Sequence, residues 1–251
     1  MHGNETLDLL MNRKSIRRFS ERTPPREVVE AIVRTGQQAP FAAQLGSVVL
    51  SERVAEHPFR APLLFTVLVD VHRLERILAA RGWETVTSDA VLLLFGIQDA
   101  SYMAENMVVA AEALGLGSCF LGGAPFRAAQ ISERYRLPQR VFPLVQLAMG
   151  YPAEKAPPRP RFPLPFSLHD GAYPEDDQQE LGRAMDAMDE GYLAQDHYQA
   201  QRARIPLEGG CPERFTDKDY SWTEHMGRKW GQWLADPEEL LGPLRACGFD
   251  V

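Results

Sequence analysis

Apolar positions along this chain alternate between helical spacing and short continuous runs. Leu7, Leu10 and Met11 share one face of a short helix predicted over 5–11, and Val28, Val29, Ile32 and Val33 turn inward on a second over about 26–38. Thr23-Pro24-Pro25 stops the chain before that second helix, with Thr23 or a neighbour as its cap. Ala39-Pro40-Phe41-Ala42-Ala43-Gln44 then breaks it, as a loop that lets a flat ligand approach the backbone or as a plain connector. Residues 47–50 and 63–70 read as strands. The second is almost wholly apolar, which predicts burial on both faces. A helix follows over 72–81.

The longest helical pattern covers 88–114, with Ser88 or Asp89 as its cap. Leu92, Leu93, Ile97, Met103, Met107, Val108, Ala111 and Leu114 spread widely around it, as in a helix that is central or lies at a subunit interface. Asn106 within it reads as a hydrogen-bonded buried amide. Further on, strands are predicted at 119–121 and 141–149, with a helix over 126–136 between them. Proline and arginine accumulate over 153–174, an arm lying on a surface. Helices over 176–198, 222–234 and 237–247 complete the chain, with a polar loop at 202–219.

A chain of 251 residues, 45% hydrophobic and 24% charged, can bury a substantial core as one domain or a domain with an extension. Its richest apolar run, 90–96, is too short to span a bilayer, and the first residues lack a basic then apolar leader. The expectation is a cytoplasmic protein with no membrane partner. Three widely spaced cysteines, Cys119, Cys211 and Cys247, argue against a disulfide framework or a paired-cysteine metal site, and Cys119 reads as a small buried residue. The six histidines show no ligand spacing, so no metal is expected. Gly115 and Gly117 follow a helix and precede a strand, the reverse of the dinucleotide fingerprint, and no phosphate loop of the GxxxxGK[ST] type occurs.

The segment Arg13-Lys14-Ser15-Ile16-Arg17-Arg18-Phe19 stands against this background. It sets four cations and a hydroxyl in six positions of a chain whose net charge is -7. Phe19 anchors the segment into the core. Arg159-Pro160-Arg161 forms a second basic pair, and two such clusters can grip one phosphate from two sides through planar guanidinium forks. The alternative is a solvated face of surface ion pairs. Nucleic acid is not expected as a partner, because the chain is acidic overall and carries no repeated basic helix, zinc spacing or RNA motif.

In order and spacing, this basic segment, Ala104-Glu105-Asn106 through Ala113-Leu114-Gly115-Leu116-Gly117, Leu121-Gly122-Gly123, Leu137-Pro138 with Pro143-Leu144, Gly150-Tyr151-Pro152-Ala153 and Arg159-Pro160-Arg161 form one set. It resembles the FMN-dependent nitroreductase and flavin reductase family, particularly its oxygen-insensitive NADPH nitroreductase branch. The likeness covers about residues 7–175, and Trp222-Thr223-Glu224-His225 resembles that branch's tryptophan and acid-histidine segment. The resemblance implies an α+β fold, a central mostly antiparallel sheet flanked by helices in an intertwined homodimer with a C-terminal arm. Residues 1–152 would form the FMN-binding core, and 153–251 the arm and helices packing on the core and partner subunit.

Carried over by position, the resemblance gives Arg13, Ser15 and Arg17 to the FMN phosphate and ribityl chain, with Lys14 beside them. Arg159 and Arg161 would reach the same phosphate. Gln44 would approach the flavin ring, and the backbone of Gly122 and Gly123 would lie against it. No catalytic side chain is implied, because the flavin carries the chemistry. The implied reaction passes hydride from NADPH or NADH, in two stages, to a small electron-poor acceptor such as a nitroaromatic, quinone or free flavin, at FMN sites on the dimer interface. An FMN store or sensor and a reductive dehalogenase-type member are the alternatives.

Two departures from the family pattern stand out. Segment 53–61 is shorter than the family's helix there. The branch's arginine-rich loop, credited with holding the NADPH phosphate, is here Pro212-Glu213-Arg214-Phe215-Thr216-Asp217-Lys218-Asp219, whose acids oppose a 2′-phosphate and leave NADH an open donor.

Overall fold

In the computed structural model, which describes residues 3–51, 54–175, 177–232 and 236–251, most predicted elements form close to their expected bounds. Asn4 caps α1 (Glu5–Met11) by accepting the Leu7 N–H at 3.1 Å. Pro25, not Thr23, holds the N-cap position of α2 (Arg26–Gln37) and makes no side-chain cap bond there, because its ring carries no hydrogen-bonding atom. β1 (Gly46–Leu50) and β2 (Leu63–Asp70) follow, and Asp70 caps α3 (Val71–Ala80) by accepting the Arg73 N–H. α4 (Asp89–Ala113) leads to β3 (Gly117–Leu121), and α5 (Ala128–Tyr135), opened by a 3-10 turn at Pro125–Arg127, leads to β4 (Val141–Gly150).

The four strands pair antiparallel in the order β1-β2-β4-β3, so β2 and β4 are central. The unbroken apolar run of β2 is explained by that place, for its residues Leu63 to Val69 are all buried. Met103, Ala104, Met107, Val108 and Ala111 of α4 join Val29 and Ile32 of α2 in the core beneath the sheet. The other flank of α4 is apolar but bare, with Leu94 55% and Phe95 42% exposed. Asn106 is only half-buried; its amide donates to the Thr35 carbonyl at 3.3 Å.

Helix α4 meets β2 at glycine distance. A Cβ at Gly96 would stand 2.4 Å from Cγ1 of fully buried, χ1-restricted Val69. Gly96→Ala is therefore expected to destabilise the protein by about 1–3 kcal/mol through overpacking. Urea unfolding checks this, and an unchanged midpoint would refute the contact.

The chain falls into two compact units, Met1–Ala156 with Asp236–Val251, and Pro157–Ala235. The expected boundary at 152/153 thus needs correction at the C-terminus, where α9 (Glu238–Ala246) returns to the first unit. Leu244, Cys247 and Phe249 join its core. Arg140 locks that return, donating to both oxygens of Asp89 (2.6 and 2.7 Å), to Glu75 at 2.8 Å and to the Gly248 carbonyl at 2.8 Å. Its hydrogen bonds hold the Asp89 carboxyl below the ordinary range. Asp89 is therefore occupied by Arg140 and by the Asp250 N–H, while Ser88, at the N-cap of α4, makes no side-chain cap bond.

In the second unit the arm runs beside α6 (Gln178–Ala194), where Gly191 leaves room for Pro160: a Cβ would sit 2.7 Å from its Cγ. The helix predicted over 176–198 is broken. Asp196 takes a left-handed φ of 49° and α7 (His197–Gln201) starts after it, while Asp176 lies outside the described residues. Tyr192, Tyr198 and Tyr220 pack with Met188, Phe162 and Trp222, the last opening α8 (Trp222–Gln232). The predicted end of that helix at Leu234 lies outside the described residues.

Candidate functional site

The basic segment is extended because it borrows the edge of the sheet. Ser15 bridges Ser118 of β3 in parallel, the Ile16 N–H donates to the Ser118 carbonyl at 2.8 Å, and Phe19 bridges Pro152. Strand alternation then separates the side chains. Ile16 points in at 3% exposure, over Gly117, where a Cβ would lie 2.5 Å from its Cγ1. Ile16 is the deep anchor; Phe19, predicted for that role, is only partly buried, against Ala61, Leu64, Cys119 and Ala148. Glu154 fixes the backbone further by accepting from the Arg17 and Arg18 N–H groups.

This leaves the charged groups free of structural duty. Arg13 sits over the Phe120 ring at 5.4 Å, Lys14 makes a 3.4 Å contact with the Asn12 carbonyl, and Arg17 is exposed. Among the described residues none of Arg13, Lys14, Arg17 or Arg18 forms a salt bridge, in contrast to Arg140, Arg204 and Arg228. Four cations without a salt bridge among the described residues, beside a serine hydroxyl, form an anion site in chemical terms. Ser118, the bridge partner of Ser15, has a buried hydroxyl without a hydrogen-bond partner among the described residues.

Glu112 is the nearby opposing charge. Burial pushes its carboxyl up from the ordinary range, while Arg13 and Lys14 pull it down. A carboxyl with a raised folded pKa favours the folded state below its unfolded pKa and loses that advantage as pH climbs through the folded value. Glu112→Gln is accordingly expected to raise the thermal midpoint more at about pH 8 than at about pH 4. Equal shifts at both would contradict the burial of Glu112.

Just beyond β3, Gly122 and Gly123 form an exposed turn. A Cβ on either would meet nothing within 4 Å, so the packing of the chain does not itself require glycine there. Gln44 lies elsewhere. It precedes β1, at the opposite edge of the sheet, and three strand spacings place it roughly 14 Å from the β3 edge. One chain does not bring Gln44 to the basic segment. Gln44 has a left-handed φ of 52°, and its carbonyl accepts from Arg73. Asp99 of α4, absent from the sequence expectations, accepts the N–H groups of Ala42, Ala43 and Leu45. Its signal in the sequence was a lone acid within an apolar stretch of helix.

In the second unit Arg159 donates to Gln195 at 2.8 Å and Arg161 to the carbonyls of Arg159 and Pro160; neither has a carboxylate partner among the described residues. The loop expected to repel a 2′-phosphate is partly neutralised. Glu213 pairs with Arg204 and Arg228, and Asp217 pairs with Arg204. Glu224 bonds Arg228, and His225 stacks on Tyr198, with burial and then Lys229 lowering its pKa. Arg53 lies outside the described residues; the short segment after it forms 3-10 turns at Val54–Glu56 and Pro58–Arg60.

Residues 50–151 match the model of the Nitroreductase family. A "CR(VI) reductase" of Pseudomonas sp. (strain G-1) is 31% identical over 202 residues, covering 74% of this chain and 82% of the relative. An "FMN reductase (NADPH)" of Bacillus subtilis (strain 168) is 26% identical over 186 residues, 68% of this chain and 75% of that one. In fold, the chain superposes on the NfrA1 nitroreductase from B. subtilis with a TM-score of 0.80 at 21% identity, over 98% of this chain and 99% of that one.

Proposed function

We propose, from the premise that this chain belongs to the nitroreductase family, that its basic segment holds the phosphate of FMN at the edge of β3. The protein is an NAD(P)H-dependent FMN oxidoreductase. Bound FMN supplies a two-electron carrier between a reduced nicotinamide and an acceptor. The observation that carries the site assignment is a set of four cations, none in a salt bridge among the described residues, in a chain of net charge -7.

Each side chain has a distinct task in this reading. The guanidinium forks of Arg13 and Arg17 match phosphate oxygens, Lys14 adds a point charge and Ser15 a neutral donor. Gly122 and Gly123 leave the backbone bare for a flat ring. Arg159 and Arg161, which lack carboxylate partners among the described residues, keep their guanidinium groups available to an anion. No side-chain acid or base is assigned; backbone N–H groups lining the bound ring would stabilise negative charge on it.

A homodimer is part of the proposal. Gln44 and the basic segment lie at opposite sheet edges, so a site using both draws them from two copies. The bare apolar flank of α4, with Leu94, Phe95 and Tyr102, is the surface a second copy would cover, and the 157–235 unit would pack on that partner. The proposed place of action is the cytoplasm, where reduced nicotinamides are held. The proposed acceptors are nitroaromatics, quinones and free flavin, each taking the place the nicotinamide vacates.

Initial-rate kinetics test the two-stage scheme. Varying NADPH or NADH at several fixed quinone concentrations is expected to give parallel double-reciprocal lines. Converging lines would mean that both substrates bind together and would overturn the shared-site scheme. Retention of FMN without turnover by either donor would favour a storage or sensing role.

A further inference from the structure

Asp99 stands in the middle of α4 with 4% of its surface exposed, and among the described residues no cation pairs with it. A buried carboxylate needs donors, and here they all come from one loop. Oδ1 accepts from the Ala42 N–H at 2.7 Å; Oδ2 accepts from Ala43 at 3.1 Å and Leu45 at 2.9 Å. The residue skipped in this set is Gln44, whose φ of 52° is one that a residue with a Cβ keeps only when its surroundings impose it. From the flank, the Arg73 guanidinium donates to the Gln44 carbonyl and, at 3.0 Å, to the Gly46 carbonyl.

The support beneath is closely packed. A Cβ at Gly46 would lie 3.2 Å from Met103 Sδ and 3.3 Å from Ala100 Cα, and one at Gly36 would lie 2.6 Å from Met107 Cγ. Beside the loop is a cavity of about 260 Å³ lined by Gln37, Gln38, Phe41, Gln44, Arg73 and Asp99.

We propose that Asp99, with Arg73, is a positioning residue for flavin binding: it pins residues 42–45 to α4 and so holds Gln44 in the conformation that meets the ring. The inference rests on the reading of Gln44 as a flavin contact. A loop fixed before the ligand arrives does not have to be ordered during binding, so the brace raises affinity without touching the cofactor. Asp99→Asn keeps the shape of the side chain but turns an amide N–H₂ toward loop donors.

The test is a double-mutant cycle on full-length protein stripped of FMN. Wild type, Gln44→Ala, Asp99→Asn and the double variant are titrated with FMN, read by quenching of flavin fluorescence and by the visible band shape. Thermal unfolding of each apoprotein serves as control. Asp99→Asn is expected to bind roughly ten- to a hundredfold more weakly, the scale of a misplaced contact. Its flavin band should match that of Gln44→Ala, and the double variant should be no weaker than the weaker single variant. Additive losses, or wild-type binding by Asp99→Asn while Gln44→Ala is weakened, overturn the role of Asp99 and leave that of Gln44 standing. Wild-type binding by Gln44→Ala removes Gln44 from the site and the inference with it. Should Asp99→Asn not fold, Arg73→Met, altered on the exposed flank, takes its place in the cycle with the same non-additivity expected and the same outcomes decisive.

Discussion

Replacing Arg13 and Arg17 together by alanine is expected to weaken FMN binding by about two to four powers of ten, since each charge-assisted hydrogen bond contributes roughly 1.5–3 kcal/mol. The fold should survive the change. The segment is held by its backbone, through Ile16 on Ser118 and through Glu154 on the Arg17 and Arg18 N–H groups, and by the buried Ile16 side chain. Arg13 gives up a packing contact, its place over Phe120. Equilibrium dialysis at two salt concentrations separates the effects: wild-type affinity should fall with salt, and that of the double variant should fall less. Undiminished affinity in the double variant would return the basic run to the status of a solvated face.

Arg228→Ala is expected to cost the Pro157–Ala235 unit roughly 3 kcal/mol, the lower end for breaking a buried pair, because Glu213 is 45% exposed and can be rehydrated. The Arg228 side chain is 2% exposed and donates to Glu213, Glu224 and the Ile205 carbonyl. Its removal leaves two acids facing one vacated position. The Arg228 hydrogen bond holds the Glu213 carboxyl well below the ordinary range. A depressed carboxyl contributes stability above its unfolded pKa and loses it as pH falls through the folded value. The gap between wild type and variant should therefore be widest near neutral pH and close in acid. Denaturant unfolding at about pH 7.5 and about pH 4 measures it, and a gap that widens in acid would contradict the pairing.

What the sequence revealed follows from which interactions leave a local pattern. Strand β2 was legible because burial on both faces demands an unbroken apolar run. The basic segment was legible because its charge opposes that of the chain. The break at Asp196 was hidden, since no glycine or proline marks it, and Tyr198 beyond it still packs with Met188 and Tyr192 in one cluster. The return of α9 to the first unit was hidden for another reason. Arg140 ties Asp89 to Gly248 across a long stretch of sequence, and such partners share no spacing. Asp99 was overlooked because its partners are backbone N–H groups, which every residue but proline carries. The distance between Gln44 and the basic segment depends on strand order, which periodicity does not encode.

The most direct test of the central claim is the visible absorption spectrum of the purified protein, recorded before and after anaerobic addition of NADPH and, separately, NADH. The account predicts flavin bands that bleach with at least one donor and return when a quinone or nitroaromatic is added without oxygen. Bands that persist with both donors, or no bands even after incubation with FMN, would contradict it.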